Sequence, residues 1–212
     1  MPTVTGGAGA RRRKRQAEME QLLLAAMERL MGEGQTFTEL SVDRLASEAG
    51  MSRATFYLYF EDKSHLLRSL ITRVFAEIIE TSRTWWDEFE HHDMADFHTS
   101  MSGMIATYRK HQSLITAVIE VATYDPEVDE AYRGLIQGVQ DTTQAFIERG
   151  KSEGSVPESV PAEETAAALT WMAERTVHQT ARVTSPDHDG RLATALAHIY
   201  WSTLFAGSDD NR

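Results

Sequence analysis

Apolar residues recur at helical spacing along most of the chain, and nowhere do they alternate strictly for the length of a strand. Between Gln16 and Met31, the positions Met19, Leu22, Leu23, Ala26, Met27 and Leu30 fall on one face of a helix that Gly32 and Gly34 end. Ser41 suits the N-cap of a short helix whose Val42, Leu45, Ala46 and Ala49 face inward, and Gly50 stands where a left-handed residue closes it. Ser52 caps the next helix, with Phe56 and Phe60 on its inner side. Asp62 caps a long fourth helix reaching Phe89, with Leu66, Leu67, Leu70, Ile71, Val74, Phe75, Ile78 and Ile79 as its buried stripe. Further helices are expected over residues 95–110, 112–122, 127–152, 162–182 and 189–206. Polar, Gly-containing or Pro-containing stretches punctuate them: His91 to Asp96, Asp125-Pro126, Gly150 to Pro161, and Ser185 to Gly190. No internal repeat is present. The fold class is all-α, with an N-terminal three-helix unit containing a helix-turn-helix and a larger C-terminal helical domain.

Charge sharpens this division. The 212 residues carry a net charge of −11, which by itself argues against a nucleic-acid partner. Residues 1–63, however, hold nine Lys/Arg and nine Asp/Glu, leaving 12 basic and 23 acidic side chains in the other 149. Arg11, Arg12, Arg13, Lys14 and Arg15 tip a neutral segment that can approach phosphate, while the acidic remainder orients the approach. The linear expectation is a disordered basic arm over residues 1–15, a helix-turn-helix unit over 16–63, and a larger acidic helical domain over 64–212, to which the resemblance described below assigns ligand binding and dimerisation. Cysteine is absent, no apolar run is long enough to span a bilayer, and no apolar core follows the basic cluster as in a secretion signal. Together these point to the cytoplasm and away from a membrane.

The segment Ser41 to Lys63, SVDRLASEAGMSRATFYLYFEDK, carries the functional information. A helix-turn-helix lays its second helix in the major groove, which requires small residues where the two helices touch; Ala46, Ala49 and Gly50 supply them. With Phe56 and Phe60 inward, a step of about 100° per residue leaves Ala54 and Leu58 on the opposite side. Arg53 and Tyr57 then stack on one flank, and Thr55 and Tyr59 on the other. Arg53 suits bidentate contact to guanine, Ala54 a thymine methyl group, and Tyr57 a base or a phosphate. Ser41, Ser52, Thr55, Tyr59 and Lys63 suit contacts that fix register on the backbone.

A capped short helix, an Ala-Gly turn, Ser-x-x-Thr-aromatic-Tyr-x-Tyr-Phe and a following Lys resemble the tetracycline-repressor family of bacterial regulators over residues 20–64. The resemblance implies a two-domain all-α homodimer that represses transcription from a palindromic double-stranded operator and leaves it when a small molecule binds. It also implies that Arg53, Ala54 and Tyr57 read DNA while Thr55, Tyr59 and Lys63 hold phosphates. SVDRLASEAGMSRATFYLYF, the MAERT run at 172–176 and HIYWSTLFAG near the end further resemble the ethionamide-resistance regulator branch, whose ligand domain has a long apolar tunnel.

Aromatic and Met residues gather in the C-terminal part, including Trp85, Trp86, Tyr124, Met172 and Trp201. Apolar effector sites are lined by such residues with a few polar groups to orient the ligand. Phe97, Met101, Met104 and Tyr108 can form one wall, Tyr132, Ile136 and Val139 a second, and Thr170, Trp171, Glu174 and His178 a third, with Tyr200 close by. Glu174 and His178, one turn apart, either hold a polar head group or form a surface pair with Arg175 or Arg182. The last two helices resemble the pair that forms a four-helix dimer bundle in this family, with Ala-rich Thr165 to Leu169 on one and Ala195, Leu196, Ile199 and Thr203 on the other. In that scheme the ligand moves the lower end of the long fourth helix and so changes the spacing of the recognition helices.

Other classes fit less well. His91, His92, Asp93, Asp96 and His98 cluster without sustained ligand spacing, so no metal and no cofactor is expected. No phosphate loop, nucleotide fingerprint, nucleophile elbow or HExxH motif is present, which argues against an enzyme. The alternative to a sensor is a DNA-binding regulator whose C-terminal domain binds proteins rather than a small molecule.

Overall fold

The computed structural model describes the backbone of residues 6–87 and 93–205 and the side chains of 9–81 and 93–205. Among these residues, helices α1 (Gly6–Gly32), α2 (Val42–Glu48), α3 (Arg53–Tyr57), α4 (Lys63–Asp87), α5 (Met94–Lys110), α6 (Gln112–Ala122), α7 (Pro126–Glu153), α8 (Ala162–Val183) and α9 (Asp189–Phe205) follow in order, with no strand. A 3-10 turn, Pro186–His188, precedes α9. The side chains of Trp85, Trp86, His91 and His92, the expected continuation to Phe89, and residues 1–5 and 206–212 lie outside the described residues.

The start of α1 corrects one expectation. Residues 6–15 are helical instead of forming a disordered arm. Once Gln16 to Met31 nucleates the helix, each residue added upstream gains a hydrogen bond. Ala10, the Arg/Lys run and Gln16 are all strong helix formers, so propagation continues through them. Arg11 to Arg15 thus present five exposed cations around a helix.

Local chemistry sets the other boundaries. Ser41, Ser52 and Asp93 occupy N-caps and accept from the backbone N–H of Arg44, Thr55 and Asp96 at 3.1, 3.0 and 2.9 Å. Asp62 Oδ1 accepts from His65 N at 2.7 Å at the start of α4. Asp125 does the same for α7, taking the N–H groups of Glu127 and Val128 and also the Ser64 hydroxyl.

The described chain packs into two compact units, which cut across the expected linear division. The first comprises residues 6–73 and 113–132, and the second residues 74–112 and 133–205. In the first, Leu23, Ala26, Met27 and Leu30 of α1 are fully buried together with Leu45, Phe56, Leu66, Leu67, Leu70 and Ile71. Burying each of the larger side chains contributes about 1.5–3 kcal/mol, so this core holds the short α2 and α3, which are too short to persist alone. Residues 113–132 belong there because Thr38 donates to Glu120 at 2.8 Å and Arg68 pairs with Glu127 at 2.6 Å. In the second unit α5 packs on α8 and α9, with Phe97, Ile105, Ala173, Val177, Ala193, Ala197 and Leu204 among its buried residues.

Candidate nucleic-acid interface

The turn between α2 and α3 is fixed by backbone geometry. Gly50 has φ +72°, Met51 N–H donates to Ala46 O at 2.9 Å, and Gly50 N–H donates to Ser47 O at 3.1 Å. These are the two bonds of a Schellman motif, and they end α2 sharply enough for Ser52 to begin α3 two residues later. Phe56 is fully buried, with ring centroids 5.4 Å from both Tyr57 and Phe60. That burial sets the rotation of α3 about its axis.

The outer surface of α3 carries Arg53, Ala54, Tyr57 and Leu58, all exposed. Arg53 Nη1 donates to Asp43 Oδ2 at 2.8 Å, and its guanidinium carbon lies 5.5 Å from the Tyr57 ring centroid. Asp43 first, and Tyr57 second, push the Arg53 pKa above its usual value. Leu58 is 74% exposed at the end of α3. The helical wheel places it beside Ala54, yet its type alone did not mark it as a contact; a large apolar side chain kept in solvent on a recognition helix is the missing signal.

The remaining expected contacts are held differently. Ser41 and Ser52 spend their hydroxyl oxygens on caps, and the Ser52 and Thr55 hydroxyls lie 2.9 Å apart. Tyr59 is half-buried. Lys63 Nζ donates to three backbone carbonyls, those of Phe37 at 3.1 Å, Thr38 at 3.2 Å and Leu40 at 2.6 Å, and stands 5.0 Å from the Phe37 ring centroid. Burial lowers its pKa, while the three carbonyls require its protonated form. In this geometry Lys63 ties the 37–40 segment to the start of α4. Nearby, Glu48 gathers Arg29 at 3.0 Å and Arg44 at 3.9 Å.

In the second unit Phe97, Met101, Tyr108, Ile136, Thr170, His178 and Tyr200 are buried, while Met104, Val139 and Glu174 are half-buried. Tyr132 belongs to the first unit. Trp171 is 44% exposed, so it points away from this core. His178 does not join a surface pair: its Nδ1 lies 2.7 Å from the buried Tyr108 hydroxyl. Burial raises the Tyr108 pKa far beyond the usual range, so the phenol stays neutral, and the His178 tautomer sets which of the two groups donates. Tyr200 donates to Leu169 O at 2.9 Å, and its ring centroid is 5.3 Å from that of Phe97. Thr170 Oγ1 is buried with no hydrogen-bond partner among the described residues. Leu196, expected on the dimer face with Ala195, Ile199 and Thr203, is buried instead; the other three remain exposed. Asp93, Asp96 and His98 form no metal-binding group among the described residues.

A short, exposed, positively tipped helix pinned by a Schellman turn to a capped partner defines a helix-turn-helix DNA-binding protein. The chain belongs to the tetR family of bacterial regulatory proteins, whose model matches residues 22–70. The model for the C-terminal domain of the transcriptional regulator EthR matches residues 97–206. The HTH-type transcriptional regulator EthR of Mycolicibacterium smegmatis is 30% identical over 193 residues, covering 89% of this chain and 87% of that protein. That of Mycobacterium tuberculosis is 29% identical over 190 residues, covering 89% and 88%. Among solved structures, the fatty acid degradation regulator FadR from Bacillus halodurans has a TM-score of 0.73 at 16% identity, covering 92% of this chain and 97% of that one. Salmonella enterica GusR has a TM-score of 0.70 at 16% identity, covering 88% and 95%. The protein is therefore a DNA-binding transcriptional regulator, and its relatives are regulators, not enzymes. No described helix is long and apolar enough to cross a membrane.

Proposed function

We propose that the protein is a homodimeric repressor that binds a palindromic operator through paired α3 helices and is released by an apolar small molecule. The carrying observation is the outer face of α3, where Arg53, Ala54, Tyr57 and Leu58 stand exposed while Phe56 locks the helix from behind. Arg53 reads a guanine, Ala54 and Leu58 meet thymine methyl groups or sugars, and Tyr57 supports Arg53 and reaches the backbone. Ser41, Ser52, Thr55 and Tyr59 fix register, and Lys63 acts on DNA mainly by shaping the loop it binds.

Dimerisation is supported by apolar side chains left in solvent on α8 and α9: Trp171, 81%-exposed Val183, and Ile199. Effector binding is supported by the stripe Thr170, Glu174 and His178 on α8, one turn apart each, in which Thr170 and His178 are buried and the Thr170 hydroxyl lacks a partner among the described residues. An apolar ligand with one polar group satisfies such a stripe. It acts through α4, which contributes residues to both units, by binding the two states of the dimer unequally.

The deciding experiment selects an operator from a random DNA pool and then tests Arg53→Ala. Specific binding should weaken by about 1–3 kcal/mol and one operator position should relax. Retention of wild-type affinity and specificity sinks the base-reading role. Sedimentation of Trp171→Asp, which should shift toward monomer, and a thermal-shift screen with apolar compounds test the other two parts.

A further inference from the structure

Arg53, the residue proposed to read a base, already has a partner in the free protein. Its Nη1 lies 2.8 Å from Asp43 Oδ2 on α2, and the two side chains are 59% and 61% exposed. Water screens a pair this exposed, so it adds little to folding stability. Asp43 has a simpler role as an acidic residue in the first turn of α2, where the helix dipole favours it. That role needs only the amides of its own helix, and does not explain a carboxylate reaching across to α3.

We infer that Asp43 is a positioning residue that holds the Arg53 guanidinium toward the bases and keeps it from pairing with phosphate. The inference rests on the base-reading role of Arg53. A guanidinium on a flexible stem must be ordered when it meets DNA, and any group that orders it beforehand lowers that cost. Here Asp43 holds one side and the Tyr57 ring, 5.5 Å from the guanidinium carbon, holds another. The Asp43 contact uses one of the five guanidinium donors, which leaves donors for a two-pronged approach to guanine. The carboxylate also repels phosphate, so it penalises the non-specific complex in which Arg53 rests on the backbone. The neighbouring cations Arg29 and Arg44 both pair with Glu48, which leaves Asp43 to Arg53.

The test uses the full chain, an operator duplex selected from a random pool, and a random-sequence duplex of equal length. Asp43→Asn should bind the random duplex more tightly, with a log-affinity against log-salt slope steeper by about one, because Arg53 becomes free to neutralise a phosphate. The ratio of operator to random affinity should fall about three- to tenfold, with the loss concentrated at the base pair that Arg53→Ala relaxes. Asp43→Glu should recover part of that ratio, and in an Arg53→Ala background Asp43→Asn should leave it unchanged. An acid serving only the helix dipole would shift the melting temperature and leave the ratio intact, and that result overturns the inference. So does an equal change in the Arg53→Ala background. If Arg53→Ala itself leaves discrimination untouched, the base-reading assignment has failed first and takes this inference with it.

Discussion

Replacing Lys63 by Met separates two roles for one cation. As a phosphate contact, Lys63 would leave folding unchanged and remove about 0.9 from the salt slope when deleted. The structure instead gives its Nζ three carbonyl acceptors at 2.6, 3.1 and 3.2 Å and a ring centroid at 5.0 Å. A hydrogen bond to a charged group contributes about 1.5–3 kcal/mol, but one ammonium meets its desolvation cost once for all three. The Thr38 contact is exposed, so water can replace it, whereas those to Phe37 and Leu40 are partly buried. Two bonds at roughly half their gross value, with about 0.5–1 kcal/mol for the ring, give a loss of about 2–4 kcal/mol. The assay is urea unfolding followed by far-UV ellipticity. Lys63→Met with undiminished stability and a salt slope flatter by about one would refute the structural role.

Three further perturbations follow from the same reasoning. Gly50→Ala places a side chain at φ +72° where, among the described residues, no atom beyond its chain neighbours lies within 4 Å of the new Cβ, so its cost is torsional, about 1–2 kcal/mol; urea midpoints should show Gly50→Asn as the milder change. Arg109 bonds Asp189 twice, at 2.7 and 2.6 Å, and also the carbonyls of Ala181 and Thr184, tying α5 to the end of α8 and the start of α9. Arg109→Met should lower second-unit stability by about 2–3 kcal/mol in tryptophan-monitored unfolding, below the roughly 3–5 kcal/mol for broken buried pairs because this one is partly exposed. His178 has its pKa lowered by burial first, then by Arg182 and Arg175. Above the unfolded-state pKa of about 6.5 both states are neutral and nothing is lost. As pH falls from there toward the lower folded-state pKa, the unfolded state gains protons first, and stability declines. Melting scans from pH 7.5 to 5 should show that decline reduced in His178→Gln, and an identical profile in the variant would exclude His178 as its source.

The first unit was largely legible because its determinants are local. Caps at Ser41, Ser52 and Asp62, the breaker Gly50 and the spacing of Phe56 and Phe60 each act within one or two helical turns. Hence their outcomes, including the exposed flank of Arg53 and Tyr57, can be read from neighbours in sequence. The exceptions have plain causes. Residues 6–15 are helical because propagation outruns the weak breaking effect of scattered glycines. Lys63 was assigned by residue type, but its acceptors lie 23 to 26 residues away, beyond any local pattern.

In the second unit the same logic reaches its limit, since periodicity tells which face is apolar and not what that face meets. Glu174 and His178 share a helix face, and the sequence left a surface pair as open as a buried anchor; a tyrosine 70 residues away decides the matter by bonding His178. Leu196 and Ile199 are adjacent around α9, yet one is buried and the other exposed, because the edge between core and surface falls between them. Trp171 reads from sequence as pocket lining and stands in solvent on the helix that also buries Thr170. A helix with an inward polar stripe and an outward indole is asymmetric in a way suited to two partners at once. A ligand satisfying the buried stripe and a second subunit covering the indole would then be coupled through the rotation of one rigid rod.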